Sequence, residues 1–459
     1  MSPSLLALVG FSMVGAFMAL IMTRRISALI GLILIPVLVA LLCGFGTQLG
    51  PMILKGVITV APTAAVLLFA VLYFGVMIDA GLFEPLVRRV LSAAGGDPRK
   101  VALGTAAVAA IASLDGDAAT TAMVTISAFL PVYRRLKMNP LILAVLLGSS
   151  NAIVNLAPWG GPAARLAAVL QIDPNAIFLP LIPVMGVGLL GVVAIAWRLG
   201  GLEHRRLGVQ KIEPGQTDAA LVTRPFARPN RWWFNLGLTV IVIVAAVTRL
   251  APLPVVFMIG LALALLLNYP RLDDQRERLA ANAPAAMAIV VLVLAAAVFT
   301  GVLEGTGMIA AMGERFVAIL PPALGPYLAV ITAVASAPLT FFLSNDAFYF
   351  GIVPIIAKMG QTYGLAPEEI ARASLLGQTV HALSPLVAAI YLVSGLLSVD
   401  VGAMQRFCLK WALALAVLMI AAALAFGAIP LVRHAPTPPA ASAAVVMPLS
   451  PSPLAQNPT

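Results

Sequence analysis

Charge is scarce in this chain. Of 459 residues only 10% are Asp, Glu, Lys or Arg, while 61% are apolar; soluble domains carry roughly 25% charged residues. That shortage excludes a water-soluble multidomain enzyme. Cysteine is scarcer still. Cys43 and Cys408 both sit in apolar runs, so no disulfide framework or zinc motif is implied. There is no phosphate-binding glycine loop, which argues against an ATP-driven pump. The N-terminus lacks a basic stretch and a cleavage site, so its first apolar run is expected to be a membrane span and not a signal peptide. The net charge of +10 does not point to nucleic acid, because the basic residues sit in short loops beside apolar runs.

What the chain does have is long apolar stretches, and a spanning helix needs about 20 such residues. The first half offers spans at 4–22, 26–46 and 60–79, an amphipathic piece at 82–94, and an apolar stretch at 101–132 broken by Asp115-Gly116-Asp117. A further stretch, 140–171, is interrupted by Pro158-Trp159-Gly160-Gly161-Pro162, and 176–198 closes the half. The second half repeats the layout: 234–250, 254–269, 283–303, an amphipathic 308–318, a stretch at 325–358 broken by Ser344-Asn345-Asp346, an interrupted 367–398 with a break near Ser384-Pro385, and 405–428. The repeat is legible in residues too. Leu114, Asp117, Leu147 and Gly148 recur as Leu343, Asp346, Leu376 and Gly377 at an offset of 229, and Gly75-Val76 recurs as Gly301-Val302 at 226.

The basic residues orient this layout. If each broken stretch is a hairpin that enters and leaves on one side, each half has five crossings and the two halves are inverted. With the Arg24-Arg25 loop inside, 21 of the 28 Lys and Arg residues are cytoplasmic and six are outside, leaving Arg165 within a span. The expected fold is therefore an all-α polytopic membrane protein. It has inverted repeats of five spans each, two re-entrant hairpins and two broken helices. The first repeat is expected at 1–200 with its hairpin at 101–132. A cytoplasmic loop at 201–233 follows, then the second repeat at 234–428 with its hairpin at 325–358. A disordered Pro/Ala/Ser-rich tail is expected at 429–459, with both termini outside.

Ser113–Thr121 (SLDGDAATT), Ala157–Pro162 (APWGGP), Phe341–Gly351 (FFLSNDAFYFG) and Ala371–Gly377 (ARASLLG) resemble the citrate–divalent metal:proton symporter family, within the ion transporter superfamily. The resemblance runs from about residue 4 to about 428. It implies a homodimer in a bacterial-type inner membrane, with a scaffold and a moving transport domain. It also implies proton-coupled uptake of citrate complexed with a divalent cation of the Mg or Ca type, with no permanently bound cofactor.

The polar breaks supply the candidate site. Two such breaks in corresponding halves of a chain point to a transporter's substrate site. Asp117 and Asp346 each open the second arm of a hairpin, where Asp is a strong helix cap worth about 1 kcal/mol. A capped helix end at membrane depth also presents free amides and a positive dipole end to an anion. Thr120 and Thr121 either bond back within the helix or touch ligand. Asp115 stands two residues from Asp117, and two such carboxylates repel unless a cation or proton lies between them. The expected metal ligands are thus Asp115, Asp117 and Asp346, with Asp115 and His381 as proton-coupling groups. Gly160 and Gly161 let backbone approach a ligand at the Pro-bounded break. Asn155, Trp159, Ser344, Asn345, Gln378 and Ser384 complete the expected substrate contacts. Arg165 is expected to pair with Asp79 or Glu84, or to meet a substrate carboxylate. Two rival readings stand beside metal–citrate transport. One is a carrier of another anion, a dicarboxylate or oxyanion. The other is an intramembrane aspartyl protease pairing Asp115 or Asp117 with Asp346.

Overall fold

The computed structural model describes residues 1–209, 226–319, 321 and 323–433. Most of the expected cytoplasmic loop (210–225) and nearly all of the expected disordered tail (from 434) lie outside the described residues. Among the described residues every regular element is helical.

In the first half, α1 (Pro3–Met22) and α2 (Ala28–Leu42) lead to the long α3 (Gly46–Asp79) and the amphipathic α4 (Glu84–Ala94). The first hairpin is α5 (Pro98–Ala112) and α6 (Ala118–Arg135), followed by the broken helix α7 (Pro140–Val154) and α8 (Gly161–Leu170). A short α9 (Pro174–Phe178) leads into α10 (Ile182–Leu207). The second half runs α11 (Trp232–Val247), α12 (Leu253–Asn268), the long α13 (Leu272–Gly305) and α14 (Met308–Ile319). Its hairpin is α15 (Leu328–Phe342), a π-helical segment Ala347–Ile352, and α16 (Val353–Thr362). The broken helix is α17 (Pro367–Leu375), α18 (Gln378–His381) and α19 (Ala388–Leu397), and α20 (Val401–Ala425) ends the order. The order of elements thus recurs, and α13 is α3 displaced by the same 226 residues as Gly75 and Gly301. Seven described helices are long and apolar enough to cross a membrane.

Local sequence explains many of the starts. α5, α7 and α9 begin at Asp97-Pro98, Asn139-Pro140 and Asp173-Pro174. In each, the Asx side chain accepts an otherwise orphaned amide and Pro fills the first turn, where its missing N–H costs nothing. Burial works against ionisation of Asp97, but His204, 2.8 Å away, and the Arg99 amide hold its carboxyl below the usual range. Two expected spans are longer than sequence indicated. The run 60–79 begins at Gly46, and 283–303 begins at Leu272, across Lys55 and the charged stretch 273–278 that break the hydropathy signal. The span 176–198 likewise continues helically to Leu207, beyond the expected domain edge at 200.

α3 and α13 form the central pair and run antiparallel. Gly56 packs on Ala297 and Gly301, while Gly75 at the other end faces Asn282. A side chain on Gly56 would collide with the Ala297 carbonyl, so these glycines let the two backbones touch, as small residues do between membrane helices. α10 and α20 are also antiparallel, with Gly188 against Met419 and Gly191 against Leu415.

Each hairpin closes on itself. Gly200 lies against Pro98 and Arg99 at the start of the first hairpin, and Arg206 donates to the Lys137 carbonyl just past its end. Both ends therefore meet the C-terminal part of α10. In the second hairpin Gly325 abuts the ring of Tyr363, so start and end again coincide. Both hairpins, both broken helices, α10 and α20 share one apolar core. Separate clusters gather α1, α2, α11 and α12 around α3 and α13. α8 is wedged against α3 and α13 through Ala164 and Ala168.

Candidate functional site

The polar breaks converge on a cavity of about 240 Å³. It is lined by Gly116 and Ala118 of the first hairpin tip, Asn151 and Asn155 of α7, and Gly161, Pro162 and Arg165 of α8. The second half contributes Asn345, Gln378 and His381, with Met404 and Cys408 on the apolar wall.

Arg165 is the one permanently charged side chain among the described residues lining it, and its Nε donates to Asp346 Oδ1 at 2.7 Å. This corrects two expectations. Arg165 does not pair with Asp79, which accepts from Arg278 at 3.4 Å and Asn282 at 3.0 Å instead; nor does it pair with Glu84. Asp346 is not the cap of its helix. Ser344 Oγ accepts the Ala347 amide, and the Asp346 carboxylate is turned to Arg165. The π-helical turn that follows adds a residue to the helix just after Asp346, a distortion frequent at functional sites.

Amides and one imidazole make up the rest of the polar wall. Gln378 donates to Asn345 Oδ1 at 3.1 Å and to the Tyr349 hydroxyl at 2.5 Å. Asn155 caps the end of α7, and its buried Oδ1 has no protein partner. His381 is buried, with Nδ1 2.6 Å from the Thr340 carbonyl. A neutral imidazole there carries its proton on Nδ1 and keeps Nε2 as an acceptor.

Asp115 and Asp117 face elsewhere. Gly116, at φ +78, turns the hairpin tip so that its backbone borders the amide-lined cavity. The two flanking carboxylates line a second cavity with Asp79, Thr120 and Asn282. Asp117 is the expected cap of α6, accepting the Thr120 amide at 2.8 Å and the Thr120 hydroxyl at 2.7 Å. Asp115 is buried and accepts the Asp117 amide. The expected three-acid metal site is therefore not assembled: no group of three acidic, His or Cys side chains able to hold a metal occurs among the described residues. The aspartyl dyad of the protease reading fails for the same reason, since Asp346 is engaged by Arg165 while Asp115 and Asp117 line another cavity.

Three expected substrate contacts turn out to build the walls. The Trp159 indole N–H donates to the Leu114 carbonyl at 2.8 Å, and its ring is packed among Phe74, Phe178 and Phe257. Thr121 is fully buried, donating to the Asp117 carbonyl and accepting from Asn151. Ser384, also fully buried, donates to the Phe341 carbonyl at 2.7 Å. Each fastens a broken helix or a hairpin arm at its polar interruption. Gly160 has a steric reason, because any side chain there would collide with the Asn155 carbonyl. Sequence reading missed Asn151 and Tyr349. Asn151 ends the polar run Ser149-Ser150-Asn151 in an apolar helix, one turn before Asn155, which was a usable signal. Tyr349 had none.

Comparison with known proteins agrees in fold and in sequence. The profile of the citrate transporter family matches residues 11–377. A citrate transporter of Bacillus subtilis (strain 168) is 50% identical over 425 residues, covering 93% of this chain and 100% of that protein. A Mg(2+)/citrate complex secondary transporter of the same organism is 44% identical over 429 residues, covering 93% and 99%. Among solved structures, the Alcanivorax borkumensis YdaH transporter superposes with a TM-score of 0.58 at 16% identity, covering 84% of this chain and 90% of that one. Neisseria gonorrhoeae MtrF gives 0.58 at 15% identity, covering 85% and 86%.

Proposed function

The chain belongs to the citrate transporter family, and from that premise we propose that it takes up citrate as a complex with a divalent cation of the Mg or Ca type, driven by protons. It is a multi-pass membrane transporter and not an enzyme.

The charge of the cavity carries this reading. The positive charge of Arg165 is already matched by Asp346, so the wall offers little net charge to an anion. Bare citrate would bring a trianion into a region where like charges repel far more than in water. A divalent cation removes two of those charges. The remaining one is within reach of Arg165 and of the N-terminal end of α8, which borders the cavity with no side-chain cap and acts as roughly +0.5. Hard cations prefer oxygen ligands, which citrate supplies. Asn155 Oδ1, without a protein partner, would accept a hydrogen bond from the complex's hydroxyl or from a metal-bound water. His381 is the one imidazole among the residues lining the cavity, and in this proposal it takes part in proton movement at the site. Purified protein in liposomes should accumulate labelled citrate with Mg²⁺ when the outside is acidified, and a protonophore should abolish that accumulation. Full uptake driven by sodium alone would remove protons from the mechanism.

The halves are inverted repeats in this proposal, supported by the antiparallel crossings of α3 with α13 and α10 with α20. Both termini are then outside, the bilayer is the inner membrane, and two copies form the working unit. Sidedness is open to test in a protein whose Cys43 and Cys408 are replaced by Ala. Cysteine at the exposed Arg205 should escape an impermeant thiol reagent in intact cells yet react in inside-out vesicles, and cysteine at the exposed Lys55 should behave the opposite way. Labelling of position 205 from outside would reverse the topology.

A further inference from the structure

The Arg165–Asp346 pair does more than neutralise the cavity. We propose that Asp346 is a proton carrier of the cycle: the substrate complex takes over the Arg165 guanidinium, and Asp346, left beside an anion, takes up a proton. The inference rests on the metal–citrate reading and adds to it the group that couples cargo to proton.

The first ground is the placement of the pair. Arg165 lies on α8, which borders the cavity, and Asp346 follows Asn345, which lines it, so the bond joins α8 to the start of the second hairpin's returning arm at the cavity edge. Arg165 lines the cavity while Asp346 is not among its lining residues, and the two side chains are only 18% and 22% exposed. An arriving carboxylate meets the guanidinium first. A carboxylate and an Asp compete for the same planar donor fork.

The second ground is charge balance. The empty site holds Arg165⁺ and Asp346⁻ and is neutral. Adding a complex of charge −1 leaves one uncompensated negative charge at membrane depth, an expensive state. One proton on Asp346 makes the loaded site neutral again: Arg165⁺, protonated Asp346 and the anionic complex. Empty and fully loaded sites are then both suited to crossing the membrane, and the site with cargo but no proton is not. That difference is the coupling. Any proton moved beyond this one, on His381 for example, would appear as current.

The surroundings leave few other acceptors. Around Asp346, α8 presents Arg165, α18 presents His381, and the π-helical segment presents the Tyr349 hydroxyl, bonded to Gln378. α1, which also packs on that segment, carries no ionisable side chain, and α16 carries only Lys358, bonded to Gln361.

The test compares wild type with Asp346→Asn in liposomes, in two modes. One is exchange of labelled Mg²⁺–citrate at equal pH on both sides. The other is accumulation driven by a pH gradient. The ratio of accumulation to exchange should fall at least tenfold in Asp346→Asn, whatever its absolute exchange rate. An unchanged ratio would overturn the proposal. Should the variant be too poorly folded to exchange, His381→Gln protein in weakly buffered detergent decides. Adding Mg²⁺–citrate should draw protons from solution, read with a pH indicator. Binding without proton uptake would also overturn the proposal. If wild type neither exchanges nor binds Mg²⁺–citrate, the metal–citrate reading itself has failed.

Discussion

Replacing Arg165 by Gln is expected to reduce citrate uptake at least a hundredfold at unchanged protein level in the membrane. Arg165 is the fixed positive charge in the cavity wall, and the proposed metal–citrate substrate keeps one net negative charge. Truncating one partner of a desolvated charge pair costs about 2–5 kcal/mol, which at 1.4 kcal/mol per decade is roughly 30-fold to several thousandfold. The upper part of that range applies, because two groups lose their partner at once: the incoming complex and Asp346. A resident carboxylate without its cation also burdens folding. Arg165→Gln combined with Asp346→Asn separates the effects. The double variant removes both charges, so any loss of folded protein should be recovered while uptake stays abolished. Arg165→Lys should fall between, since a lysine keeps the charge but lacks the planar fork that engages Asp346. Near-normal uptake by Arg165→Gln would show that the substrate's charge is met elsewhere.

Local chemistry was legible in the sequence, and contact across the fold was not. The hairpins announced themselves through Asp-Gly-Asp and Ser-Asn-Asp inside apolar runs, because polar groups at that depth need a reason to persist. The repeat offset of 226 carried through to the bounds of α3 and α13. Asp117 met its expected role because a cap is decided within three residues, by the amides of Ala119 and Thr120. Asp346 looked equivalent at the repeat position, yet its partner lies 181 residues away on another element. Spacing cannot reveal such a pair. The same holds for Trp159, read as a ligand contact from its glycine-rich surroundings. Its indole reaches back 45 residues to the first hairpin tip, and Phe74 and Phe257 close over its ring from α3 and α12. The true lengths of α3 and α13 were hidden by Lys55 and by the charged start of α13, where hydropathy falls although the backbone stays helical.

The division of labour at the first hairpin tip follows from one glycine. Gly116 adopts a left-handed turn that Asp115 and Asp117 flank, and a tip of this shape points its two carboxylates away from the side its backbone offers to the cavity. The cavity thus offers backbone, amides and a guanidinium where the sequence had placed acids. In the proposed function the metal enters as part of the cargo, held by citrate's own oxygens.

Metal dependence of transport tests that account most directly. Labelled citrate uptake should be measured at a fixed concentration of free citrate, with Mg²⁺ present and with all divalent metal removed by excess EDTA. Uptake should follow the concentration of the complex and fall at least a hundredfold in EDTA, with recovery when Mg²⁺ is restored. Equal uptake with and without EDTA, at matched free citrate, would contradict the account and make this protein a carrier of the bare carboxylate.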